Sequence, residues 1–458
     1  MNTFFGKYKE QYKQNLKLAF PVVLTQLGQI FTQVVDNLMV GRYGGSASEP
    51  LAAVSFGGSV ALILFFAAIG MALGLTPLIG ELYVQADRKR SSVLLQNAML
   101  FYVLLGVLIS VVQYVSIPLM YRMGQPEEVV EMAIPYYRML IVSMPFVMLF
   151  FAFKQFLEGV GNTKVELAVT IVANLANCVF NYVFIYGRMG FAEMGVAGAG
   201  LGTLLSRIIA AVLIAAYFVW RADYRSYLKD FSMRCFSFGA VRRLLSMGLP
   251  ISAQMFLESS AFIGTSIMMG WLGKEAMSAN QITGTMSNSA FMIVLSIGAA
   301  TTIRTSHCYG RRDIDELSLA VKASYHLVLA WNAFAAVVFV SLCDFLPTLF
   351  TSNAEVVGIA SSLFIFAALF QLSDGLQNVS VGVLRGIQDV KVIMPIAFVA
   401  YWLLNLPVGY LFAFVFGMGP VGFYVGYIVG LSVAAILLIF RIRKRIRFLK
   451  SYVRNSYK

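Results

Sequence analysis

Charge is scarce in this chain. Of its 458 residues only 12% are Asp, Glu, Lys or Arg, about half of what a soluble domain carries. Histidine is almost missing: with only two, His307 and His326, little is left for a zinc or haem site. The four cysteines, Cys178, Cys235, Cys308 and Cys343, are scattered and form no CxxC pair, so no disulfide framework is expected. The basic, amphipathic start MNTFFGKYKEQYKQNLK has no small-residue cleavage site, so the first apolar run is expected to stay as a membrane helix. These shortages argue against a soluble enzyme, against a secreted disulfide scaffold and against a metal-dependent membrane enzyme.

What the chain has in excess is apolar surface. It is 59% hydrophobic with a mean hydropathy of +0.77, more than a globular core of this length could hide. Crossing about 30 Å of hydrocarbon takes a helix of about 20 residues. Twelve runs qualify: Leu16–Met39, Leu51–Gly80, Val93–Ile117, Met132–Leu157, Val165–Tyr186, Val196–Trp220, Ser246–Trp271, Met277–Ile303, Leu317–Cys343, Val357–Leu384, Val392–Phe416 and Val421–Phe440. The expected fold is therefore an all-α polytopic membrane protein of twelve transmembrane helices. Its net charge of +13 would suit nucleic acid only if the bases shared a soluble face. They sit at the ends of the apolar runs, so no nucleic-acid partner is expected.

Those bases also orient the chain. Lys7 to Lys17, Arg88 to Arg90, Lys154 with Lys164, the stretch Arg221 to Arg243, Arg304 with Arg311 and Arg312, Arg385 with Lys391, and the tail from Arg441 to Lys458 fall on one side. Arg42, Arg122, Arg188 and Lys274 fall on the other. The positive-inside rule then puts both termini in the cytoplasm.

The second half of the sequence echoes the first. Pro21, Gly41 and Gly44 align with Pro250, Gly270 and Gly273, each 229 positions on, and LEGVGNTKV (157–165) aligns with LRGIQDVKV (384–392) at a spacing of 227. Six crossings per half is an even number, so both halves enter the bilayer the same way up, as parallel repeats do in alternating-access carriers. Two pseudo-symmetric six-helix lobes are expected over residues 1–220 and 246–441, with a cytoplasmic linker over 221–245 and a basic tail over 442–458.

Of the 22 acidic residues, three fall well inside apolar runs: Asp36, Glu258 and Asp374. A carboxylate at mid-helix costs about 2.5–3.5 kcal/mol on insertion, so such residues mark an ion or substrate path. Glu258 and Asp374 lie about 18 Å and 15 Å from the cytoplasmic ends of their helices, similar depths in one half. Such a pair could accept a proton or cage a hard cation, with Ser259, Ser260, Ser373, Gln377 and Asn378 as neighbouring neutral oxygens. Asp36 would sit beside Asn177 and Asn181 if the fifth span packs on the first. The alternative is structural pairing with an interior base, for which Arg207 is the one candidate; Lys154 and Glu158 read as interfacial. The 37 Phe, 22 Tyr and 22 Met mostly face lipid or core, and a few could stack on planar organic cations.

VDNLMVGRYGG (35–45), MGLPISAQMFLESSAFIG (247–264), AMSANQITG (276–284), SIGAATTIRTSHCYG (296–310), FQLSDGLQNVSVGVLRGIQD (370–389) and YWLLNLPVGY (401–410) resemble the NorM branch of the multidrug and toxic compound extrusion (MATE) transporters. The resemblance spans nearly the whole chain. It implies a protein that is not an enzyme but a secondary active exporter of drugs and organic cations. Export would be exchanged for inward Na+ or H+, by a monomer in the bacterial cytoplasmic membrane, with no cofactor beyond the coupling ion. Within that family the cation is assigned to the positions of Glu258 and Asp374, with Na+ the possible metal there. Proton coupling and drug release are assigned to the position of Asp36, with Asn177 and Asn181 as neighbours. Gln281 matches a further polar position, and Phe370 stands where some Na+-driven relatives carry Tyr. The alternatives are a lipid-linked saccharide flippase of the same superfamily, disfavoured by interior acids outnumbering the interior arginine, and a major-facilitator carrier, suggested only by the DRKR at 87–90.

Overall fold

The computed structural model describes residues 4–43, 49–228 and 236–456; the stretch containing Gly44 and that containing Lys229, Arg234 and Cys235 lie outside them. Among the described residues the regular structure is all helical, without a strand. The first half holds α1 (Phe4–Tyr43), α2 (Glu49–Leu73), α3 (Leu75–Val84), α4 (Arg88–Val115), the single turn α5 (Ile117–Met120), α6 (Glu127–Gly159), α7 (Thr163–Ile185), α8 (Gly195–Trp220) and the short α9 (Ala222–Arg225). The second half holds α10 (Phe238–Gly270), α11 (Lys274–Gly310), α12 (Ile314–Ser341) and α13 (Ala354–Gly386). A helical run then follows in which α14 (Ile393–Ala397) and α15 (Leu406–Tyr410) alternate with π-helical turns at Phe398–Asn405 and Leu411–Val415, before α16 (Pro420–Ser456).

Eleven helices among the described residues are long and apolar enough to cross a membrane. The twelfth expected crossing exists as the 33-residue α10, but Gln254, Glu258, Ser259 and Ser260 dilute its middle. The expected crossing outside those eleven is thus one that carries a candidate site acid. Expected boundaries shift in two places. The second crossing breaks at Gly74 into α2 and α3, and residues 236–245, expected as linker, already contain the start of α10 at Phe238. Along α1, Leu16, Phe20, Leu24, Leu27, Phe31, Val34 and Leu38 are all exposed. Their spacing of three and four residues makes one stripe, which a bilayer solvates and water would not.

The duplication extends to backbone detail. Helices α6 and α13 are both 33 residues long, with ends 227 positions apart. Left-handed Ala86 (φ 55) and Arg312 (φ 59) occupy matching turns, as do Gly161 (φ 82) and Gln388 (φ 59). After the first pair, the Asp87 carboxylate accepts from Arg90 N (3.0 Å) and the Asp313 carboxylate from Glu316 N (2.9 Å). Each caps the helix that follows. Asp87 of the DRKR stretch therefore has a structural duty.

The chain packs into two compact units, Met1–Val23 with Ala253–Lys458, and Leu24–Ser252. In the second, α6 packs against α2, α3, α4 and α8; in the first, α13 packs against α11, α12 and α16. The division falls within α1 and α10, after Val23 and Ser252, which are 229 positions apart and each two residues past the matched prolines Pro21 and Pro250. Specific contacts explain it. Arg304 Nη1 donates to the Gln11 carbonyl (3.1 Å) and to Asn15 Oδ1 (3.0 Å), and Asn15 Nδ2 donates to Ser324 Oγ (3.0 Å). In the other unit Ser252 Oγ donates to the Ala67 carbonyl at 2.7 Å. There a Cβ on Gly74 would stand 2.8 Å from the Gly248 nitrogen, an approach only glycine allows.

Candidate functional site

The two acids of the second half come together. Glu258 reaches inward from α10 and Asp374 from α13, within electrostatic range of each other. Gln254, one turn before Glu258, donates Nε2 to Glu258 Oε2 at 2.6 Å. The fully buried Tyr401, on the π-helical turn, donates its hydroxyl to Gln377 Oε1 at 2.9 Å and also reaches Glu258. Asp374 is only 8% exposed, yet it makes no hydrogen bond or ion pair among the described residues. Nearby on the same helix, both polar atoms of the buried Gln371 amide lack partners, as does Asn405 Nδ2 on the facing run. Buried polar groups are normally satisfied, so this interior has capacity to spare. Two neighbouring carboxylates, with the Gln254 amide and the Tyr401 hydroxyl beside Glu258, can hold a proton or a small hard cation.

In the first half Asn181 Nδ2 donates to Asp36 Oδ1 at 2.6 Å and lies 3.4 Å from Asn177 Oδ1. Asn181 is fully buried because α8 presents Gly202 beneath it; a Cβ there would collide with Asn181 Oδ1. Arg207, the one candidate for structural pairing with Asp36, turns elsewhere. Its Nη1 donates to Ser143 Oγ (2.7 Å) and its guanidinium stacks over Phe65 (5.7 Å). No ion pair joins Asp36, Glu258 or Asp374 to a base among the described residues.

The other nominated positions are spread out. Asn378 packs its side-chain oxygen over Gly298 of α11, repeating the Asn181–Gly202 contact. Gln281 is exposed and its side chain makes no hydrogen bond among the described residues. Its neighbour Asn280 faces the helices instead, accepting from Tyr424 at 3.2 Å. Phe370 joins an aromatic group with Tyr424 (5.8 Å) and Tyr427 (5.6 Å).

Two further charged clusters are buried beyond the three interior acids. Lys154 and Glu158, near the end of α6, are buried within the protein. Lys154 Nζ sits 2.7 Å from Glu166 Oε1 and 3.5 Å from Glu158 Oε1, with side-chain exposures of 15%, 1% and 5%. Thr76 donates to Glu158 at 3.4 Å and to the Gln155 side-chain oxygen. Arg385, counted among the loop bases, instead reaches inward, and its Nη2 donates to Gln254 Oε1 at 2.9 Å. The repeat alignment held the only hint, since Arg385 occupies the position of Glu158.

The MatE family model matches residues 21–183 and 250–411, one stretch in each half, and these stretches contain all three interior acids. The chain belongs to the MatE family. Among MatE relatives, the multidrug resistance protein NorM of Photobacterium profundum is 31% identical over 441 residues, covering 95% of this chain and 96% of the relative. The multidrug resistance protein MdtK of Yersinia pseudotuberculosis is 32% identical over 443 residues, covering 95% and 96%. A solved multidrug resistance MATE family transporter of the MOP superfamily, in its outward-facing conformation, has a TM-score of 0.86 at 22% identity, covering 96% of this chain and 97% of that one. The MatE fold thus covers nearly the whole chain and both of its halves.

Proposed function

We propose that this protein is a secondary active multidrug exporter, expelling amphipathic and often cationic organic compounds in exchange for inward Na+ or H+. Glu258 and Asp374 take the coupling cation, and Asp36, held by Asn181 beside Asn177, couples the other half to release of the drug. The observation that carries this reading is Asp374, buried in a membrane-spanning helix with no hydrogen bond or ion pair among the described residues. A carboxylate kept there at a cost in stability has a use for a cation. Ion and drug favour opposite states of one alternating element, so each drives the other across. We place the protein as a monomer in the bacterial cytoplasmic membrane, with both termini inside, on the distribution of its bases. The flippase reading is not favoured, because Arg207 is engaged by Ser143 and Phe65 rather than free to grip a pyrophosphate.

The test is ethidium export from proteoliposomes under separately imposed Na+ and pH gradients. Wild-type protein should respond to one of them, and Glu258→Gln and Asp374→Asn should bring flux to background. Export by both variants at the wild-type rate would overturn the assignment.

A further inference from the structure

The two acids of the second half are unequally supported. Asp374 has no hydrogen bond or ion pair among the described residues, whereas Glu258 accepts from Gln254 Nε2 at 2.6 Å and has the Tyr401 hydroxyl beside it. Behind Gln254 stands a base: Arg385 Nη2 donates to Gln254 Oε1 at 2.9 Å, and its charge reaches Glu258. Arg385 and Asp374 share α13, eleven residues or about 16 Å of helix apart. The guanidinium crosses from α13 to α10, where it meets Gln254. It forms no ion pair among the described residues, and its Nε has no hydrogen-bond partner, so most of its five donors are unspent. Gln254 is an amide spacer that lets the positive charge be felt at Glu258 while keeping it out of direct contact.

We propose that Arg385, held at one remove by Gln254, is a tethered counter-charge that competes with the coupling cation for Glu258 and sets how tightly that cation is held. The proposal rests on the reading that Glu258 and Asp374 bind the cation. Its logic is electrostatic. The charged or titratable groups facing Glu258 are Asp374 and Arg385 from α13 and Tyr401 from the π-helical turn. Without Arg385 the pair would hold a cation too firmly to let it go; in direct contact with Glu258, Arg385 would shut it out. Both Gln254 and Arg385 are positioning residues. At the position matching Arg385 in the other half, Glu158 belongs to a closed ion cluster with Lys154, so the charge at this site differs in sign between the repeats.

The two residues make opposite predictions. Arg385→Gln removes the competitor. The half-saturating concentration of the driving cation should fall severalfold, because a positive charge felt at Glu258 is lost. The maximal rate should fall with it, as release slows. Arg385→Lys should stay near wild type. Gln254→Leu keeps the volume but removes the spacer, so Arg385 can close onto Glu258 and the half-saturating concentration should rise. The measurement is ethidium flux from proteoliposomes against Na+ concentration, and against the imposed pH step, on protein that elutes as a single species. A merely structural role would lower the maximal rate of every variant without moving half-saturation in opposite senses, and that result overturns the proposal while the cation-coupling reading stands. Wild-type protein that exports ethidium under neither gradient overturns the reading itself, and this inference with it.

Discussion

Each half of the protein buries charge, and the two halves treat it in opposite ways. In the first, Lys154, Glu158 and Glu166 close on one another, with ion-pair distances of 2.7 and 3.5 Å. In the second, Glu258 is braced by an amide, and Asp374 is left without a hydrogen bond or ion pair among the described residues. One scaffold was duplicated, yet one copy spends its buried charge on cohesion and the other keeps it available. Burial alone does not mark a functional acid. The absence of a partner is the better sign, because an unpaired buried charge is held against a standing cost.

That contrast can be broken experimentally. The largest effect is expected from Lys154→Met, which leaves two buried carboxylates facing each other. Removing one partner of such a cluster costs about 3–5 kcal/mol, seen as a large drop in the thermal midpoint of the detergent-solubilised protein. Asp374→Asn should leave that midpoint unchanged or raise it while abolishing flux. Equal losses of stability in the two variants would erase the distinction. Gly202→Ala comes next, at about 1–3 kcal/mol for overpacking. The new methyl would push Asn181 off Asp36, so drug release should suffer beyond the loss of stability. The smallest effect sharpens the symmetry instead: Asp87→Ala and Asp313→Ala each lose a helix cap worth about 1 kcal/mol. Their midpoints should shift equally, since the two turns are built alike.

Much of this was legible in the residues. Twelve apolar runs, a repeat in register and three acids in oil gave the fold and the acids that come together, because each signal is local or periodic. The rest depended on contacts between distant segments. Glu166 reads as the polar first turn of a helix, and only the hairpin from α6 to α7 turns it back onto Lys154. Arg385 reads as a loop base because it ends its helix, and only the approach of α10 gives it Gln254 to hold. Gln281 was nominated through the family resemblance, but helix rotation turned its neighbour Asn280 inward and left Gln281 exposed.

The exchange of segments after Val23 and Ser252 has a consequence for anyone who would cut the gene in two. Severed between α9 and α10, the polypeptide yields one fragment carrying the opening turns of α1 that the other needs to be whole, and a second carrying the opening turns of α10 that the first needs. Neither fragment would mature by itself. Made together in the same cell, they would have to trade those ends before either became complete.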